Sequence, residues 1–225
     1  MSNGGYKGFT PARETSPEQY PGVWELTEQF QAQADGNWPF QDTDCAPKGL
    51  RFNSADTATL SKSISSAGNR KTWTFSFWVK LLGGGTYSTN HILCGGLSGS
   101  SSSQSGFEIE FTSTGALLVN NQVNNSVAWS VQSTALFRDY SAWYHVVVAH
   151  DTTQATESNR LKIYVNGVQL DSFATTNYPS QNYESEMNKA TTNRLGATDD
   201  GGNPYLPSDF YLADIHFIDG QALTP

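Results

Sequence analysis

Basic residues are scarce in this chain, and so is charge of any kind. Of 225 residues, 13 are Lys or Arg against 21 Asp or Glu, which leaves a formal charge of −8. The cations are scattered and form no basic run. That excludes recognition of nucleic acid, where clustered cations must neutralise phosphates. An anionic membrane surface would repel the same chain. Long apolar runs are missing too. The opening "MSNGGYKGFTPARETSP" is polar and lacks the apolar run of a signal peptide, and no later stretch approaches a membrane span. The expectation is a protein made in a cytoplasm, not exported by the usual signal and not inserted in a membrane. There are two cysteines, Cys45 and Cys94, without CxxC spacing. They read as two buried thiols rather than a redox or zinc motif. Heptads and shaft-like repeats are absent, which argues against a long fibre built from this chain alone.

What the chain does have is aromatic residues, at 12%. Each ring buries much area, so 37% hydrophobic residues suffice for a core. From Gly49 onward the apolar pattern has a period of two. In "TWTFSFWVKLL", Trp73, Phe75, Phe77, Val79 and Leu81 point one way, and Thr72, Thr74, Ser76 and Lys80 the other, with Trp78 among them. "GFEIEF" sets Phe107, Ile109 and Phe111 against Glu108 and Glu110. "WYHVVVAH" is apolar on both faces and suits a central strand. In "RLKIYVNGVQLDSF", Asn166-Gly167 predicts a type I′ hairpin turn, because both central residues need positive φ. It places Leu161, Ile163, Val165, Val168 and Leu170 on one face.

Further strands are expected near Leu50–Asn53, Thr59–Ser63, His91–Gly95, Ala116–Asn120, Ser126–Gln132, Arg194–Ala197 and Phe210–Ile218. "NYPSQNYESEMNKATTN" reads as a long polar connection. In the closing strand Tyr211, Ala213, Ile215 and Phe217 form the predicted apolar face, and pairing is expected with the strand near Leu50. Many strands, regular turns and almost no helix predict an all-β, two-sheet antiparallel jelly-roll sandwich over residues 49–225.

Residues 1–48 differ. They are rich in Gly, Pro, Gln and Glu, and "PGVWELTEQFQAQADGNWP" predicts a short helix from about Trp24 to Ala34 flanked by extended arms. The helix has too few apolar residues to bury itself. The rings of Trp24, Phe30 and Trp38 need a surface outside the arm, so these residues are the candidate docking contacts.

"LRFNSADTATLSKS", "TWTFSFWVKL", "AWYHVVVAHDTTQATESNRLKIYVNGVQLDSF" and "FYLADIHFIDGQALTP" together resemble the laminin G-like branch of the concanavalin A-like jelly rolls, over roughly Gly49 to Pro225. The closing "ADIHFIDGQALTP" and the arm's "GVWELTEQFQAQADGNWP" are similar to segments of phage virion proteins, especially tail fibres and appended capsid proteins of marine and cyanobacterial phages. In such relatives the closing segment often runs on, so Pro225 is expected to mark a short or truncated member. The resemblance implies a virion structural protein, assembled in the host cytoplasm, homo-oligomeric on the particle and contacting other virion proteins. The alternative is an adhesin module for host-surface glycans, and the last is a glycan hydrolase.

Concanavalin A-like glucanases place acids on one strand as Glu-x-Asp-x-x-Glu. Here Glu108 and Glu110 share a face, but Thr112 and Ser113 follow and the third acid is missing. No catalytic role is assigned, and the pair reads as two acids on a solvated face. Asp214 and His216 also share a strand face and read as a hydrogen-bonded structural pair. "ATDDGGNPYLPSD" gathers Asp199, Asp200, Asn203 and Asp209 around two glycines. It reads first as a plain turn, with calcium the cation it would take otherwise, as laminin G-like domains often do at a sandwich rim. No other cofactor is implied. Candidates for stacking on sugar are Trp78 and Trp129, and more so Tyr178, Tyr183 and Tyr205, which sit in polar loops.

Overall fold

The computed structural model describes residues 49–82, 89–98, 103–200 and 203–225. The predicted helix, Trp24, Phe30, Trp38 and Cys45 lie outside the described residues. The chain divides into two units, Met1–Lys48 and Gly49–Pro225, and the architecture that follows is that of the second.

Two antiparallel sheets form it. The strands are β1 (Leu50–Phe52), β2 (Leu60–Ser63), β3 (Thr72–Leu81), β4 (Asn90–Ser98), β5 (Ser105–Phe111), β6 (Ala116–Val123), β7 (Ser126–Leu136), β8 (Tyr144–Asp151), β9 (Leu161–Val165), β10 (Val168–Gln169), β11 (Phe173–Asn177), β12 (Thr192–Leu195), β13 (Thr198–Asp200), β14 (Asn203–Tyr205) and β15 (Phe210–Asp219). One sheet runs β1-β15-β3-β8-β9-β10 and the other β11-β7-β6-β5-β4-β12-β2, while β13 and β14 form a separate hairpin. This is the predicted jelly-roll sandwich. β8 is central, and β15 pairs with β1 as expected.

The period-two faces become the core. Phe75, Phe77, Val79 and Leu81 of one sheet meet Phe107, Ile109 and Phe111 of the other, all nearly solvent-free. Trp73 meets Phe107 edge-on at 5.0 Å and 82°. Each such ring contributes roughly 1.5–3 kcal/mol by leaving water. Trp129 is also fully buried, so it is a core ring and not a sugar platform. The long connection after β11 is polar in sequence but not solvated throughout. Ser185, Glu186, Met187 and Asn188 are buried. Arg70 holds this segment by donating from Nε to the Ser185 carbonyl at 2.7 Å and from Nη2 to Glu186 Oε1 at 3.3 Å.

The closing strand departs from its predicted pattern. Phe210 and Leu212 point inward, with Tyr211 on the other face. Ala213 pairs with Trp78, but Ser76 pairs with His216, so two residues of β15 face one of β3. Asp214 takes φ 46 to make this bulge. Past it the parity inverts, and Ile215 packs against the core while Phe217 pairs with Phe75. The predicted face of Tyr211, Ala213, Ile215 and Phe217 therefore splits in two. Beyond Asp219 the chain returns across the outer face: Thr74 Oγ1 donates to the Gln221 carbonyl at 2.7 Å and accepts from the Leu223 amide at 2.8 Å.

Asn166 and Gly167 have φ 51 and 80, and Val165 faces Val168 across the predicted turn. Val168 is not on the core face, however. It is 68% exposed, because β10 runs past the edge of the core. Replacing Gly167 by Val should cost roughly 1–2 kcal/mol through the left-handed backbone alone, since no atom crowds the site. A thermal melt followed by circular dichroism checks it, with a lower melting temperature expected.

His150 lies between Trp73 and Trp129, with ring centroids at 4.7 and 5.8 Å. Burial holds its pKa down from 6.5 to about 3, against a weaker upward pull from the Lys71 carbonyl and the Asp151 carboxylate. Below pH 6.5 the unfolded chain takes up a proton that the native imidazole refuses, so stability falls as pH drops from 6.5 towards 3. The loss at pH 5 is about 2 kcal/mol. Asp151, whose pKa is also lowered, adds a loss in the same direction in stronger acid. Melting curves at pH 7 and pH 5 should show a drop that shrinks in His150→Phe.

Candidate functional site

β1 is three residues long and pairs with β15 only as far as Leu212. Among the described residues, the second half of β15, from Ile215 on, has no neighbour on that side. Opposite it, β2 is the last strand of the seven-stranded sheet. Among the described residues the sandwich is open along this edge, and a groove of about 630 Å³ enters between the sheets. Its apolar floor includes Phe75, Leu93, Ile215 and Phe217, and the last is 36% exposed. Polar groups line it as well. Asn188 Nδ2 donates to Asp219 Oδ1 at 2.8 Å, and Asp219 also accepts from the Asn69 amide at 2.8 Å. Lys62, Asn193 and Arg194 also line the groove. An apolar, partly aromatic floor with planar amide, carboxylate and cationic groups at its rim is the ordinary composition of a small-ligand cleft, and the volume falls in that range.

A second polar constellation lies on the outer face of the seven-stranded sheet. Strand register sets Ser61, Arg194, Cys94, Glu108, Asn120 and Ser130 in one row across it. His91 and Glu110 face each other in the next row. Glu108 and Glu110 are not on a solvated face: their side chains are 10% and 12% exposed. Thr198 on β13 covers them from above, donating to Glu108 Oε1 at 2.9 Å, and Gln122 Nε2 donates to Oε2 at 3.2 Å. Cys94 Sγ is 3.7 Å from Glu108 Oε1. Burial pushes the Cys94 thiol well above its ordinary range, and the Glu108 carboxylate adds to this. For His91, burial pulls the pKa down, but the carboxylates of Glu110 and Glu108 more than offset it, leaving the imidazole above its usual value. Sequence periodicity placed these acids on one face correctly. What it missed is the cover over that face, because the β13–β14 hairpin reads as a turn.

The other predicted residues are not gathered in one place. Tyr178 and Tyr183 are half-buried and pack against the core, and the Tyr183 hydroxyl accepts from Asn121 Nδ2 at 3.1 Å. Tyr205 is 51% exposed at the end of β14. None of the three lines the groove. Asp199 and Asp200 lie on β13 and Asn203 on β14, with Asp200 opposite Asn203. Asp209 lies apart from that hairpin register, and its Oδ1 accepts from the Ser54 amide at 3.1 Å. Asp214 sits in the bulge and His216 beyond it, both exposed; Asp214 faces His145, raising its pKa against the larger lowering by burial. Trp78 is 38% exposed and stacks on His145 at 5.0 Å.

No curated protein matches the chain. Among solved structures, the CBM40 of the Ruminococcus gnavus IT-sialidase is 15% identical, with a TM-score of 0.51, covering 75% of this chain and 94% of that one. Domains LG4-5 of the mouse laminin alpha1 chain are 13% identical, with a TM-score of 0.50, over 77% of this chain and 42% of that one. Both share the two-sheet sandwich. The family model described as "Concanavalin A-like lectin/glucanases superfamily" matches residues 52–225, and the chain belongs to that superfamily.

Proposed function

We propose that this domain is a non-catalytic glycan-binding module displayed on a virion, serving host-surface attachment. The groove along the open edge carries the reading. Phe217 offers a ring to the apolar face of a sugar, and Asn188, Asp219, Asn193 and Lys62 ring it with the donors and acceptors that hydroxyl groups need. The virion setting is supported by the resemblance of the closing segment and of the arm. A second surface favours a structural role alongside binding. On the outer face of the six-stranded sheet, Trp78 and Trp143 remain 38% and 39% exposed, and Trp143 lies 6.4 Å from Tyr211. Exposed tryptophans of this kind suit contact with another protein.

Catalysis is disfavoured by placement. Glu108 and Glu110 are covered and do not line the groove, so a saccharide held there cannot reach them. Glycan-array screening followed by calorimetry should find a host-surface saccharide ligand. Phe217→Ala should weaken it about tenfold, equivalent to about 1.4 kcal/mol, with an unchanged fold. Failure to bind any envelope polysaccharide, or full affinity in the variant, would remove the groove from consideration. Reducing-end assays on the same polysaccharides should stay at background. Release abolished by Glu108→Gln would make the protein a hydrolase.

The virion setting has its own test. Particles assembled with tagged protein lacking residues 1–48 should exclude it, and Trp24→Ala with Phe30→Ala should reduce incorporation in the full chain. Normal incorporation of both would assign the contact to the sandwich.

A further inference from the structure

Four groups on the outer face of the seven-stranded sheet, His91, Cys94, Glu108 and Glu110, have ligand atoms that converge. The His91, Cys94 and Glu108 ligand atoms all lie within 4.8 Å of each other, and all three residues are buried. Cys94 Sγ is 3.7 Å and His91 Nδ1 is 4.0 Å from Glu108 Oε1. Around a tetrahedral zinc ion these separations would be about 3.6 and 3.3 Å, given Zn–S near 2.3 Å and Zn–N and Zn–O near 2.0–2.1 Å. The two separations from Glu108 thus lie within about 1 Å of those values.

The second observation is the state of His91. Its side chain is 7% exposed. Nδ1 pairs with Glu110 Oε2 at 3.0 Å, which leaves Nε2 without a protein partner. A buried imidazole normally finds a partner for each nitrogen, because an unmet polar atom costs the full loss of its hydration. Two carboxylates and a thiol lie around that ring, and Arg194 stands beside Cys94 in the strand register. A cation between them would find an imidazole nitrogen, a sulfur and a carboxylate oxygen already gathered.

We propose that His91, Cys94 and Glu108, with Glu110 beside them, form a structural binding site for a zinc-type transition-metal cation. The donor set selects the metal class. One nitrogen, one sulfur and carboxylate oxygens suit borderline ions such as Zn²⁺, whereas Ca²⁺ requires six or more oxygens. The cation would sit between β4 and β5. Through Glu108 it would tie the sheet to Thr198, and so fix the β13–β14 hairpin that carries Asp199, Asp200, Asn203 and Tyr205. Binding would release the Cys94 proton, because the ligand is the thiolate.

The full-length protein, stripped with chelator and refolded with one equivalent of Co²⁺ or Zn²⁺, provides the test. Expected are one metal per chain after dialysis, a thiolate-to-cobalt absorption band in the near ultraviolet, and a higher melting temperature with Zn²⁺ but not with Ca²⁺. The band should survive in Cys45→Ser and vanish in Cys94→Ser. Should Cys94→Ser fail to fold, Glu108→Gln should weaken Zn²⁺ at least tenfold. No retained metal, a band lost only in Cys45→Ser, stabilisation by Ca²⁺ alone, or unchanged Zn²⁺ affinity in Glu108→Gln would each overturn the site.

Discussion

The pairing of β15 with β3 governs the rest of the sandwich, and the bulge at Asp214 governs that pairing. A strand of ten residues with one unbroken parity would put either Phe210 and Leu212 or Ile215 and Phe217 outside. Two residues against Phe77 let both pairs face in. Among the described residues β1 accompanies only the half of β15 before the bulge, from Phe52 opposite Phe210 to Leu50 opposite Leu212. The edge left over becomes the mouth of the groove. One local irregularity thus sets the continuity of the core on both sides of it.

Most of the sandwich is legible in the sequence because its signals are local. The alternation in β3 and β5, the apolar density of β8 and the Asn166-Gly167 turn each specify their element without reference to the others. The closing strand fails that test for a physical reason. Its parity break depends on Asp214 adopting a left-handed conformation, and an aspartate in a strand pattern carries no local mark of that choice. Val168 misleads for a related reason, since alternation assigns a face and not the reach of the core behind it.

The candidate sites were less legible. The groove is a gap between strands distant in sequence, Leu60–Ser63 and Ile215–Asp219, and no motif spans it. Residues chosen for chemical type alone scattered: Tyr178 and Tyr183 went to packing, and Asp209 went to a backbone amide of Ser54. Composition identifies what a side chain could do, and register decides whether it is left available. Trp24, Phe30 and Trp38 belong to the other unit of the chain.

The polar row makes the dependence on register concrete. β12 lies between β2 and β4, so Arg194 stands beside Ser61 on one side and Cys94 on the other while also lining the groove. A buried arginine in that position carries positive charge next to the thiol and carboxylate cluster and presents the same strand to the groove. Charge on the covered face and shape at the open edge therefore share one short strand of four residues. Since β12 is held by ladders on both sides, a shift of either neighbour would move both sites together. A cation fixed between His91, Cys94 and Glu108 would restrain β4, and through its ladder β12. The rigidity of the groove's wall would then be set from the opposite face of the sheet.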